Sequence, residues 1–331
     1  MHSNLVFPLS SAALSRHGSP RSSSSAPPPS PPPPPRFLSI EGVFNVRDFG
    51  GHPAVMGLSS SSSSSSSSPG SAVKTRPGII LRSSHLEHIT EEGVQQLRAL
   101  HVSRIFDLRG AQESGQYRAI AQKYNQKNAG RGDGGHGSDA PSPIAALLPL
   151  YSAVPFYAVD EKLSTRLERH ARTGGENSES TPEQYLALAT SEPGIRGFQT
   201  IIRHLLAHPR KPILIHCTLG KDRTGIVFAL LLSLAGVPDE AIATEYTLSE
   251  QGLEPAGAKM VSVLGTLCPD LALETVTRTV DGLKRCHAKC MLGFLRALRE
   301  SCGGANGYAR DLCGLGEPEI ACIREILTVR R

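Results

Sequence analysis

The chain has 331 residues, a formal net charge of +5, 5% aromatic residues and no tryptophan. So mild a basic excess suits an anionic partner, and no nucleic-acid partner is expected. No stretch reaches the roughly 18 apolar residues of a membrane span; the longest, "GIVFALLLSLAG", stops at Gly236 and Pro238 and reads as a buried helix.

Residues 1–36 contain "SSSSAPPPSPPPPPR" and precede the first acid, Glu41. Serine and proline at that density cannot bury a core, which predicts a disordered, partly polyproline tail and a candidate ligand for proline-motif-binding domains. Its arginines, Arg16, Arg21 and Arg36, are sparse and the prolines oppose an amphipathic helix, so no import signal is expected. From residue 37 to 331 one domain is expected, interrupted by low-complexity loop insertions at about 58–72, around the serine run Ser59–Ser68, and at 127–143, "KNAGRGDGGHGSDAPSP". Long loops cost little extra closure entropy, so neither insertion needs to be a domain boundary.

The folded part alternates between two periodicities. "GIILRSS" and "HVSRIFDLRG" are β-branched strand runs, and "ITEEGVQQLRAL" between them has Thr90 as an N-cap, acids in its first turn and the apolar spacing of a helix. A second unit follows: helix in "PGIRGFQTIIRHLLAHP", strand in "KPILIHC", helix in "RTGIVFALLLSLAGVP". This alternation predicts an α/β fold with a central mixed or parallel sheet flanked by helices. From "PDEAIATEYTLSE" onward the pattern is helical, with spans near Ala256–Leu267, Leu283–Arg299 and Pro318–Val329. The seven cysteines are odd in number and lack framework spacing, which predicts reduced thiols and a cytoplasmic location. "CHAKC", Cys286 to Cys290, has metal-ligand residue types but sits in a helical pattern without a second pair, so no metal and no cofactor are expected.

The stretch "HCTLGKDRTG" ends the strand "KPILI" and opens an apolar helix. That context puts Cys217 at the carboxyl edge of the sheet, where ligand sites of α/β proteins lie. The turn Thr218, Leu219, Gly220 and Lys221 would aim backbone N–H groups at an anion beside the positive end of the helix dipole. A thiol beside a helix N-terminus and cations is favoured as thiolate. Arg223 supplies a planar fork for two phosphate oxygens. Thr224 is placed to donate to the sulfur and His216 to orient the loop from behind. Cys-x5-Arg alone is weak evidence, and a cysteine after a strand is more often a small buried hydrophobe. The flanking His, Gly, Lys and Thr-Gly make chance remote, and a nucleotide P-loop would require Ser or Thr after its Lys.

"HCTLGKDRTG" resembles the phosphate-binding loop of cysteine-dependent phosphatases of the protein-tyrosine-phosphatase superfamily. "FNVRDFGG", "LRSSHLEHITEEGVQQLRALHVSRIFDLRG" and "NGYARDLCGLGEPEIACIREIL" resemble the branch of bacterial secreted tyrosine and lipid phosphatases and their fungal relatives. The likeness runs from Phe44 nearly to the end. It implies a metal-free phosphocysteine mechanism acting on phosphotyrosine, phosphoserine or phosphothreonine proteins, or on phosphoinositides. Three carboxylates compete for general acid. Asp222, inside the loop, resembles an aspartate of myotubularin-type phosphoinositide phosphatases and comes first, with pinning of Arg223 as its other reading. Asp107, which ends "RIFDL" and is also placed to pair Arg109, comes next, and Asp160 third. Lys221 reads either as a rim cation for a second phosphate or as a solvated loop lysine. Arg47 is expected to pair with Asp48 and to support the site from behind. The alternative function is a phosphate-binding pseudophosphatase that recruits partners through its tail.

Overall fold

The computed structural model describes residues 37–55, 73–115, 142–157, 165 and 181–330, so the 1–36 tail and most of both insertions lie outside the described residues. Among the described residues eight short strands form two sheets: β1 (Arg47–Asp48), β2 (Pro53–Ala54), β3 (Val73–Thr75), β4 (Ile80–Ser83), β5 (Arg104–Asp107), β6 (Tyr151–Ala153), β7 (Ile213–His216) and β8 (Thr328–Arg330). The larger is a mixed five-stranded sheet in the order β1-β4-β7-β5-β6, antiparallel only where β1 meets β4. The smaller is antiparallel, in the order β2-β3-β8.

Strands β4 and β7 are buried at all four positions, as expected of parallel strands covered on both faces. Their two-residue alternation divides the core. Ile80, Phe106, Ile213 and Ile215 pack into one apolar cluster. Leu81, Ile105 and Leu214 face the other, beneath helix α1 (Glu91–Ala99) with its Val94 and Leu97. Thr90 caps α1 by accepting from the Gly93 amide at 3.1 Å, as its position in the sequence predicts.

The remaining long helices are α2 (Pro182–Thr190), α3 (Glu192–Ala207), α4 (Asp222–Leu234), α5 (Asp239–Leu253), α6 (Gly257–Leu267), α7 (Leu273–Lys284), α8 (Ala288–Cys302) and α9 (Glu317–Leu327). All but α6 and α7 contribute to the first cluster, on the opposite face, while α6 and α7 pack together in a third around Leu264, Val276 and Val280. Helix α4 buries 11 of its 13 residues, so it is apolar all round and surrounded by other elements. The α/β architecture and the helical C-terminal part agree with the sequence pattern. Among the described residues no helix is long and apolar enough to cross a membrane.

Two expected spans differ. The helix expected over Leu283–Arg299 is broken: α7 ends at Lys284, Arg285 takes ψ 141°, and α8 starts only after His287. The break leaves the Cys286 amide free to donate to Glu250 Oε2 at 3.2 Å, and it puts Cys286 outside the helix that holds Cys290. The last helix stops at Leu327, because Thr328–Arg330 pairs with β3 as β8. Helix α2 had no counterpart in the sequence reading.

Leu230 lies at 0% exposure in the middle of α4. Leu230→Ala should therefore lower the unfolding free energy by about 2–5 kcal/mol, measured by urea denaturation. A loss below about 0.5 kcal/mol would mean that α4 is not the packed centre described here.

Candidate active site

Parallel pairing sets the position of the site. The register aligns Ser83, His216 and Asp107, so β4, β7 and β5 finish together at one edge of the sheet. The chain leaves β7 at Cys217 and enters α4 at Asp222. Cys217 is a free thiol at 3% exposure.

Every carbonyl of the intervening loop is held. The Cys217 carbonyl accepts from His216 Nδ1 at 3.1 Å, and the Thr218 carbonyl from the His85 amide at 3.0 Å. Asn45 Nδ2 donates to the carbonyls of Leu219 (3.0 Å) and Gly220 (3.1 Å). Arg82 Nη2 donates to Gly220 at 2.6 Å and Lys221 at 3.4 Å. A peptide plane carries its C=O and N–H on opposite sides, so carbonyls drawn toward the protein turn the loop amides to the concave side. Gly220 makes the turn possible: its φ is +65°, and a Cβ there would stand 2.1 Å from the Ser83 carbonyl oxygen.

Arg223, in the first turn of α4, directs its guanidinium to Glu113, with Nη1 2.8 Å from Oε2 and Nη2 2.7 Å from Oε1. The Thr218 hydroxyl also donates to Glu113 and lies 3.3 Å from Arg223 Nη2. Burial alone would depress Arg223, but the carboxylate of Glu113 holds it well above the usual arginine range. Glu113 was missed in the sequence, where the strand reading stopped at Gly110. Its available signal was an acid six positions beyond Asp107, in the helical turn that follows β5.

The other expected residues fall into place unevenly. His216 is fully buried, burial holds it below the usual histidine range, and its Nδ1–H donates to the loop. Asp107 reaches the edge but is engaged by Arg109 through the backbone amide (3.0 Å), Nε (2.9 Å) and Nη2 (2.8 Å). Burial pushes Asp107 up, but His216 and Arg109 outweigh it and hold the carboxyl low. Arg109 also donates to Glu87 Oε1 at 2.6 Å, whose Oε2 meets His85 Nδ1 at 2.9 Å. Asp222 keeps its side chain 32% exposed, and Oδ1 accepts from Tyr185 Oη (2.5 Å) and Lys221 Nζ (2.9 Å). Asp160 lies outside the described residues.

Three expectations need correction. Lys221 is neither a rim cation nor a solvated lysine: it is 4% exposed, and Nζ donates to Asp222 and to the Arg285 carbonyl at 3.2 Å. Thr224 is fully buried with its hydroxyl unbonded among the described residues, so the expected donation to the Cys217 sulfur is not formed. Arg47 pairs with Glu245 at 3.0 Å and not with Asp48, whose oxygens instead accept from the amides of Gly50 (2.6 Å) and Gly78 (2.7 Å). Among the described residues no group of three or more His, Cys, Asp or Glu converges in a way that could hold a metal ion.

A family model described as the tyrosine phosphatase family matches residues 38–329. The chain is 27% identical over 271 residues to the triple specificity protein phosphatase PtpB of Mycobacterium tuberculosis (strain ATCC 25618 / H37Rv), covering 78% of this chain and 93% of that relative. It is 36% identical over 129 residues to a tyrosine-protein phosphatase of Nostoc commune, covering 37% of this chain and 41% of that relative.

The carboxylates behind the loop make stability depend on acid. Glu87 is pushed up by burial, but His85 and Arg109 more than offset this and hold it, like Asp107, below the usual carboxylate range. The unfolded chain then binds protons that the folded one does not, so this stability is present above about pH 4–5 and is lost as pH falls further. Glu87→Gln should be less stable near neutrality yet show a shallower loss between about pH 6 and about pH 3 in urea denaturation. A slope equal to that of the wild type would show that Glu87 is not among the responsible groups.

Proposed function

The chain belongs to the tyrosine phosphatase family, and from that premise we propose that it hydrolyses phosphate monoesters through a phosphocysteine at Cys217. The observation that carries this reading is the pairing of Cys217 and Arg223 on one turn at the carboxyl edge of the sheet, with the loop carbonyls held away from the concave side.

The steps follow from that arrangement. The loop amides and Arg223 receive the phosphoryl oxygens, where they meet the charge that spreads over the equatorial oxygens in the transition state. The Cys217 thiolate forms the S–P bond as the bond to the leaving oxygen breaks, and Asp222 gives that oxygen its proton. Water then attacks phosphorus as the S–P bond breaks, the same carboxylate takes the water's proton, inorganic phosphate is released and the thiolate is regenerated. Asp222 is preferred to Asp107 because its side chain is one-third exposed while Asp107 is 4% exposed and bound by Arg109. Tyr185 and Lys221, both donating to Oδ1, fix the orientation of the Asp222 carboxylate.

Phosphotyrosine proteins are the first substrate class, with phosphoserine, phosphothreonine and phosphoinositides as further substrates. The breadth is supported by the relative named as a triple specificity phosphatase. Lys221, tied to Asp222, adds no support for a second substrate phosphate.

Cys217→Ser should abolish turnover of an aryl phosphate while still binding phosphate, and EDTA should leave the wild-type rate unchanged. Activity retained by the serine variant would rule out the cysteine mechanism. Asp222→Asn should slow alkyl phosphates such as phosphoserine by about 10²- to 10⁴-fold and aryl phosphates far less, since alkoxides need the proton and activated phenolates hardly do. The same dependence in Asp107→Asn, with none in Asp222→Asn, would reverse the two assignments.

A further inference from the structure

Behind the catalytic loop lies a charged group for which the reaction has no direct use. Glu245, on α5, is 3% exposed and stands between two guanidiniums at 0% exposure. Its Oε2 accepts from Arg82 Nη1 at 2.6 Å and its Oε1 from Arg47 Nε at 3.1 Å. Ser249, one turn along α5, accepts from Arg47 Nη2 at 3.0 Å and lies 3.4 Å from Arg82 Nη2. Burying three charges costs several kcal/mol per ion before pairing, and well-packed apolar residues of similar volume often fill such a space at least as stably. Stability alone therefore gives little reason for this group.

The far ends of the two arginines supply a reason. Arg82 reaches past Glu245 to the carbonyls of Gly220 and Lys221. Arg47 donates through Nη1 to Asn45 Oδ1, and the amide nitrogen of Asn45 donates to the carbonyls of Leu219 and Gly220. Two arms thus start at one carboxylate and converge on one peptide of the loop. Asn45 holds its place on the second arm with φ at +57°, a conformation that asparagine tolerates better than most residues.

We propose that Glu245 is a positioning residue for the catalytic loop: by anchoring Arg82 and Arg47 it fixes the Leu219–Lys221 carbonyls outward, and so fixes the amides that receive an oxyanion. Without the carboxylate the two buried cations repel each other and lose their shared anchor. Burial lowers Arg47 to about 10, with Glu245 opposing that fall and Arg82 adding to it. The inference rests on the proposed phosphatase role of the Cys217 loop, and it adds a residue on a separate helix that touches neither substrate nor thiol.

The test uses tungstate, a non-hydrolysable phosphate mimic whose binding can be read by calorimetry without turnover, beside kcat and KM for an aryl phosphate. Glu245→Gln keeps the side-chain shape and removes the charge. Asn45→Gly suits the left-handed backbone and removes only the second arm, so it carries the test if Glu245→Gln does not fold. In protein shown by circular dichroism to be folded at the assay temperature, either variant should weaken tungstate binding and lower kcat by roughly 10- to 100-fold, as expected of misplaced donors, with a smaller change in KM. A merely structural role would lower the melting temperature and leave both quantities as they are, and folded variants within about twofold of the wild type overturn the proposal. A wild type that binds tungstate without hydrolysing phosphate removes the enzymatic reading but not the positioning role. A wild type that binds no oxyanion overturns both.

Discussion

The direction in which the peptide groups of residues 217–221 point is the constraint on which the site depends. A loop between a strand and a helix ordinarily gives some carbonyls to solvent, and here each is taken by a protein donor: His216, the His85 amide, Asn45 or Arg82. The amides of the same peptides are thereby turned the other way, next to the positive end of α4, the arrangement that suits an anion. Gly220 lets the chain turn sharply enough, and the flush ends of β4, β7 and β5 bring the donors within reach.

Several arginines lie in the dry interior around the loop, and each is matched by a carboxylate. Arg223 has Glu113, Arg109 has Asp107 and Glu87, and Arg82 and Arg47 share Glu245. Removing one member of such a set leaves an uncompensated buried charge, so these positions are more sensitive to truncation than their net contribution to stability suggests. The matching also separates roles among similar residues. Asp107 and Glu87 are closed in around Arg109, while Asp222 remains partly exposed at the start of α4 with a tyrosine and a lysine setting its orientation.

Elements that depend on neighbours in sequence were readable from the chain. The Thr90 cap, the apolar α4 and the strand that delivers Cys217 each rest on local periodicity or capping chemistry, and Cys217 and Arg223 share one turn. What escaped was held by contacts distant along the chain. Arg47 meets Glu245 across 198 positions and Arg223 meets Glu113 across 110, and no spacing rule connects such pairs. Asp48 follows Arg47 directly, which made it the natural partner on paper, but successive residues of a strand face opposite ways and Asp48 serves the Gly50 and Gly78 amides. Lys221 misled for a related reason: a loop lysine reads as solvated until the backbone of Arg285, at the break between α7 and α8, is seen to cover it. β8 was hidden because Thr328 and Val329, directly after a helical pattern, are too short a run to signal a strand until β3 offers them a partner.

The account stands or falls on covalent chemistry at one sulfur. The direct measurement is to mix the wild-type enzyme with an aryl phosphate, quench rapidly in denaturant, digest, and locate any phosphate adduct by mass spectrometry. A transient adduct on the peptide that carries Cys217, accumulating with the first turnover and absent from Cys217→Ser, is the predicted result. Steady release of phosphate with no adduct at Cys217, or with the adduct on another residue, would contradict it.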